Sequence, residues 1–435
     1  MVSKELFGKL PDGSEVNRYT ITNRFGESAG LLDFGATIHD VTVLDKDGKL
    51  GDVVLGAPAD AIAQCTYMGS IIGRYSGRVP GGKCMIDGKP HQLEQNLGED
   101  FCHGASGNYA RKLFNGQCAG DDTVTFTLLD QGEGGFGDQM DVTVTYTFGD
   151  DHCLRLTIAM TAHETTIVGP TNHCYFNLSG LDARDLTLRI TTPCCTGKSP
   201  IGAADGSVKN VSGTPEDFIS ARTLRQAMDS DPGFFAQQPA GYDTYYIFDQ
   251  NGMQMNAELS CAENGRRMQV WSDAPGMVLY TPAGRDPEPG KNGGTYGSGY
   301  TGVCLQPGNI PNATNCPTYA SPLCRKGEIY TLNGLRYLVI GGAYSVDKYY
   351  RLSRGWGWWP DEQPSPEIKA FVEQQIKNKS FDIVLSHTCP FKYEPTEMFL
   401  GGIDQSTVDD STEHWLDTIE EATEYKAWFC GHWHT

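Results

Sequence analysis

Two histidines stand in short polar motifs whose residue types suit proton transfer and hydroxyl recognition. His103 heads a His103-Gly104 pair, and His173 lies within Thr171-Asn172-His173-Cys174-Tyr175-Phe176-Asn177-Leu178. An imidazole changes charge near neutral pH, so it can both release and recover a proton there. Arg74, in Gly73-Arg74-Tyr75-Ser76-Gly77-Arg78-Val79, can donate to hydroxyls, and Asp243, in Gly241-Tyr242-Asp243, can accept from them. The Gln306 carboxamide, in Gly302-Val303-Cys304-Leu305-Gln306-Pro307, can do both but cannot carry a proton away. Each of these residues also has a plainer reading. His173, beside Tyr and Phe, reads as a satisfied core histidine, His103 as a turn residue, Arg74 as half of an ion pair and Asp243 as a turn cap. Arg78 reads as structural, and His39, His91, His152 and His163, in no motif, read as surface residues. Farther on, His387, His432 and His434 are of a type that ligates divalent metals.

The elements that must hold the first group read as β-strands. Up to about residue 330 the chain runs in short alternating stretches broken by Gly, Asn and Asp. Examples are Val41-Thr42-Val43-Leu44, Val124-Thr125-Phe126-Thr127-Leu128, Val142-Thr143-Val144-Thr145-Tyr146 and Leu186-Thr187-Leu188-Arg189-Ile190. Period-two alternation of β-branched and aromatic residues predicts antiparallel sandwich strands, and Asp87-Gly88 predicts a hairpin. The 52 glycines and 20 tyrosines agree with a β body rich in tight turns. Near residue 333 the texture changes. Leu335 to Gly342 reads as a buried strand and Ser365-Pro366-Glu367 opens a helix with apolar face Ile368, Phe371, Val372 and Ile376. Phe381 to Leu385 is another strand and Thr412 to Tyr425 a second helix. The expected architecture is mainly β: a large antiparallel β-sandwich over residues 1–333, then a small α/β fragment over 334–435, with the boundary at 332–334.

Composition limits the partners. A net charge of −20 and a pI near 4.8 argue against nucleic acid or an anionic membrane. No stretch reaches the roughly eighteen apolar residues that span a bilayer. The N-terminus lacks a secretory apolar core, and fourteen cysteines without paired metal-binding spacing read as reduced thiols. A cytoplasmic protein is expected.

The ordered set of motifs from about Val16 to Thr331 resembles the aldose 1-epimerases, or mutarotases. Gly73 to Val79 is similar to that family's Gly-Arg-x-x-Asn-Arg-Ile segment, with Gly77 where Asn is usual. Leu93-x-x-Asn96, His103-Gly104, the His173 motif, Gly241-Tyr242-Asp243, the Gln306 motif and Asn309-Ile310-Pro311-Asn312-Ala313 follow in order. The resemblance implies a galactose mutarotase-like supersandwich that interconverts the α and β anomers of a free aldohexose, such as glucose or galactose, without metal or cofactor. A base takes the C1 hydroxyl proton while an acid protonates the ring oxygen, and each typically contributes roughly 10²–10⁴-fold. By resemblance His173 is the acid, His103 bonds the sugar or its ring oxygen, and Arg74 and Asp243 grip hydroxyls. At the place of the general base, a glutamate in the family, this chain carries Gln306. That departure implies a site that keeps binding and loses most turnover, unless Asp243 or a water supplies the base. The alternative is a non-catalytic carbohydrate-binding protein on the same fold.

Residues 334–435 resemble the second half of a calcineurin-like metallophosphoesterase. Gly341 to Asp347, Ser386-His387 and Gly431-His432-Trp433-His434 carry that likeness. It implies that His387, His432 and His434 are an incomplete set of metal ligands, because the carboxylate-bearing first half of such an enzyme is absent from the sequence before Gly341. An inactive remnant is expected.

Overall fold

The computed structural model describes every residue except 65–66, 87, 239–240, 249–251, 292–293, 317, 320–321, 325–328, 333–334, 341–362, 378, 395–408 and 431–435. The chain divides into two compact units, Met1–Leu323 and Cys324–Thr435.

The first unit is built from antiparallel sheets whose alternating sequences become alternating faces. Val2–Lys9, Glu15–Thr22, Ser28–Leu32, Thr37–Leu44 and Leu50–Asp52 form a five-stranded meander in chain order. Asn115–Cys118, Thr123–Asp130, Met140–Phe148 and Leu154–Ala162 form a second meander of four strands. Along Met140–Phe148 every second residue is buried, as a period of two requires when one face meets the core. Tyr19, Ile21, Phe126, Val142, Val144 and Tyr146 share one apolar cluster with Tyr246, Met277, Leu279, Val303 and Leu305. The last five come from a third sheet of six strands, ordered Tyr175–Phe176, Val303–Gly308, Gly276–Tyr280, Asp243–Ile247, Cys194–Lys198, Ala204–Asn210. The predicted hairpin is present, with Lys83–Ile86 paired to Lys89–Gln92 and Ile86 opposite Lys89, while Asp87 itself lies outside the described residues.

The second unit is α/β. Its sheet runs Ile329–Leu332, Leu335–Ile340, Ser380–Ser386, Glu424–Cys430, the first pair antiparallel and the others parallel. Leu335–Ile340 therefore pairs within this sheet. Ser365 caps the helix Pro366–Ile376, its side chain accepting from the Ile368 N–H. Val372 and Ile376 pack with Leu338, Val384, Trp415, Leu416 and Ile419. The second helix, Ser411–Glu421, ends four residues before the predicted Tyr425. Tyr425 instead lies in the last strand opposite Phe381, and its hydroxyl bonds Glu420 at 2.8 Å. Strand pairing outweighs the helical period there. Among the described residues no helix is long and apolar enough to cross a membrane.

Candidate active site

Cross-strand register assembles the site. Tyr175, Cys304, Tyr280 and Asp243 are successive partners across four neighbouring strands, and Gln306, Val278 and Tyr245 form the adjoining row. Because neighbouring side chains on a strand point to opposite faces, these seven share one face, while Leu305 and Leu279 between them, and Tyr246 next to Tyr245, enter the core.

His173 is set against this face by its own turn. Its backbone N–H donates to the Ser70 carbonyl at 2.9 Å, and its carbonyl accepts from Gly69 at 3.0 Å. Asn172 braces both sides, donating to the Gly69 carbonyl and accepting from the Cys174 N–H. His103 arrives from the other side in a left-handed conformation, φ 52°. Its N–H donates to the Gly77 carbonyl at 3.1 Å, and the Gly77 N–H donates back to Nδ1 at 3.0 Å. The two imidazoles meet nearly perpendicular, centroids 5.8 Å apart, with Tyr67 against both rings and Tyr175 and Tyr280 against His173.

Burial governs their charge. It pushes His103 down to about 4, with the Arg78 guanidinium pushing the same way and Asp243 opposing. His173 is held well below the ordinary histidine value, again by burial first and then by His103. Both rings are neutral at pH 7. A backbone N–H can only donate, so Nδ1 of neutral His103 is bare and its proton sits on Nε2, which makes it a fixed donor.

The remaining residues connect these groups. Asp243 accepts from Arg78 Nη1 at 3.0 Å, and the same nitrogen lies 3.1 Å from the Tyr245 hydroxyl. Gln306 is buried on the same face of its strand as Cys304, whose sulfur lies 3.4 Å from His173 Nδ1. His103, His173, Asp243 and Gln306 are thus brought together.

Arg74 is not with them. Its side chain has no exposure; Nε donates to Asp130 at 2.8 Å, Nη1 to Thr166 at 3.2 Å and Nη2 to the Asp138 carbonyl at 2.7 Å. The expectation that Arg74 offers its guanidinium to a sugar is corrected: every guanidinium nitrogen is committed inside the core. Arg78, read from sequence as structural, is the arginine at the site. His39 is also buried rather than on the surface, between the Asp40 carboxylate and the Ala57 carbonyl.

Sequence reasoning passed over Tyr67, Tyr175, Tyr280, Cys304 and Arg285. Tyr175 and Cys304 lie inside the motifs that flagged His173 and Gln306, at positions that alternation would have placed on the same face. Arg285, which reaches the Tyr175 hydroxyl at 3.4 Å and Glu288 at 3.1 Å, belongs to no motif and carried no signal.

In the C-terminal unit, the His387 N–H bonds the Ile340 carbonyl at 3.0 Å, and burial lowers its side-chain pKa. His432, His434 and the Gly341 to Asp347 segment lie outside the described residues. Among the described residues no group of three or more metal-binding side chains gathers.

The chain is 29% identical over 337 residues to galactose mutarotase of Mus musculus, covering 76% of this chain and 96% of that protein. It is 27% identical over 330 residues to aldose 1-epimerase of Escherichia coli, covering 74% and 94%. Among solved structures, a GalM/aldose epimerase homologue from C. elegans superposes with a TM-score of 0.66 at 23% identity, over 72% of this chain and 95% of that one. A galactose 1-epimerase from Lactobacillus acidophilus gives 0.64 at 24% identity, over 75% and 94%. These structural likenesses establish the galactose mutarotase-like fold. The family model for aldose 1-epimerase matches residues 17–335, and the phosphoesterase resemblance beyond it rests on sequence motifs alone. Residues 17–335 are most of the chain, and the chain belongs to the aldose 1-epimerase family.

Proposed function

We propose that this site opens the ring of a free aldohexose of the glucose or galactose type and lets it reclose with either configuration at C1. His173 delivers a proton to the ring oxygen, and His103 steadies that oxygen or a neighbouring hydroxyl through Nε2–H. Asp243 accepts from a sugar hydroxyl while Arg78, paired with it, donates. Gln306 holds the C1 hydroxyl. The proton of that hydroxyl passes to a water or to Asp243, since an amide cannot take it.

The observation that carries this reading is the register placing Asp243, Cys304 and Gln306 on one sheet face beneath His173. Polarimetry on freshly dissolved α-glucose and α-galactose tests it: equilibration faster than the buffer alone supports the reading, and a rate equal to buffer at saturating protein rejects it. A second reading, sugar binding without turnover, is favoured by Gln306 at the base position and by two uncharged imidazoles. Binding measured by calorimetry with no catalysed rotation would establish it.

The described cysteines are free thiols, which suits a reducing, cytoplasmic setting. For residues 334–435 we propose a phosphoesterase-like remnant without activity, because half of the expected ligand set is missing from the sequence.

A further inference from the structure

The ring nitrogen on the far side of His173 is engaged by a sulfur. Nδ1 lies 3.4 Å from Cys304 Sγ, and Gln306 follows two residues along on the same face of the strand. Cys304 is fully buried, and that burial pushes its thiol well above the ordinary value, so the sulfur keeps its hydrogen. His173 is neutral as well. Between a neutral thiol and a neutral imidazole a single hydrogen bond forms, and its direction follows from the strength of each acceptor. An sp² nitrogen lone pair accepts well, whereas a thiol sulfur accepts weakly. The S–H therefore points at Nδ1. One ring proton remains for His173, and it must sit on Nε2.

We propose that Cys304 is a positioning residue whose thiol hydrogen on Nδ1 fixes His173 as the Nε2–H tautomer. The Cys304 thiol then does for His173 what the Gly77 N–H does for His103. Each imidazole has one nitrogen occupied by a donor, and each presents the other as N–H. The tautomer stands independently of turnover, whereas its catalytic consequence rests on the ring-opening function proposed above. A wrong tautomer would present a bare nitrogen to the ring oxygen, and two lone pairs would face each other.

The test uses the full chain labelled with ¹⁵N-histidine, read by long-range ¹H–¹⁵N correlation at pH 7, with His173 assigned by its loss in His173→Ala. The expected wild-type spectrum has Nε2 protonated and Nδ1 bare at His173. Cys304→Ser keeps a donor and keeps that pattern, while Cys304→Ala gives mixed tautomers. In polarimetry, Cys304→Ala should lower kcat about tenfold with KM nearly unchanged, and Cys304→Ser should recover most of the loss. A wild-type spectrum with Nδ1 protonated, or a Cys304→Ala spectrum identical to wild type, overturns the proposal. If Cys304→Ala does not fold, the wild-type and Cys304→Ser spectra still decide it. If the tautomer is as stated but the wild type does not catalyse mutarotation, the thiol assignment survives and the ring-opening function fails.

Discussion

Gly77 and His103 hold each other by a reciprocal pair of bonds: the His103 N–H donates to the Gly77 carbonyl, and the Gly77 N–H donates to His103 Nδ1. Protonating His103 would put a second N–H against the Gly77 N–H, so the folded chain resists that proton both by burial and by this bond.

A pH dependence of stability follows. Burial lowers His103 from 6.5 to about 4, and His173 moves in the same direction. Between those two values the unfolded chain binds the proton and the folded chain does not, so stability rises with pH across that window and is lost as pH falls from 6.5 toward 4. Thermal melts of the wild type between pH 7 and 4 should show a falling Tm. His103→Gln should flatten part of that slope, and an unchanged slope would contradict the assignment.

Restoring a carboxylate should restore a base. Gln306→Glu places a proton acceptor in a nearly isosteric side chain, and general-base catalysis is worth roughly 10²–10⁴-fold. The mutarotation rate should rise at least about 10²-fold, with sugar affinity changing much less. His173→Ala in that background should remove most of the gain. A fast parent chain that is indifferent to Gln306→Glu would shift the base to another group, beginning with Asp243.

The two arginines should separate by phenotype. Arg74→Met leaves Asp130 buried without its ion-pair partner, a loss of about 3–5 kcal/mol. Urea denaturation should show it as a large fall in midpoint. Arg78→Met removes a partly exposed pair, so stability should change by about 1 kcal/mol or less while KM for sugar rises. The reverse pattern would return Arg74 to the site.

The C-terminal unit should not hydrolyse phosphomonoesters. Purified full-length protein with added manganese should release no phosphate above background from a generic aryl phosphate. Manganese-dependent turnover that His387→Ala abolishes would refute the remnant assignment.

The sequence made the sandwich legible because Val142 to Tyr146 and Val124 to Leu128 alternate strictly, and one buried face admits one register. The histidines, Asp243 and Gln306 were legible because each sits in a compact ordered motif. Arg74 and Arg78 were not separable, since both stand in one seven-residue motif and only the packing of Asp130, Thr166 and Asp138 decides which one turns inward. The end of the last helix was missed for a related reason: Thr423 to Tyr425 fits a helical period locally, and its pairing with Ser380–Phe381 lies some forty residues away in the chain.

The strand Val303–Gly308 also constrains how this protein can diverge. Its even-numbered residues Cys304 and Gln306 face the proposed site, while its odd-numbered residues Val303 and Leu305 seal the core. Inserting or deleting one residue here would exchange those duties, presenting leucine to the sugar and an amide to the hydrophobic interior. Length changes are therefore closed to this stretch, whereas substitutions in place are open. Exchanging Gln306 for glutamate would be such a substitution: it would change the proton chemistry of the proposed site while the strand and its neighbours keep their alignment.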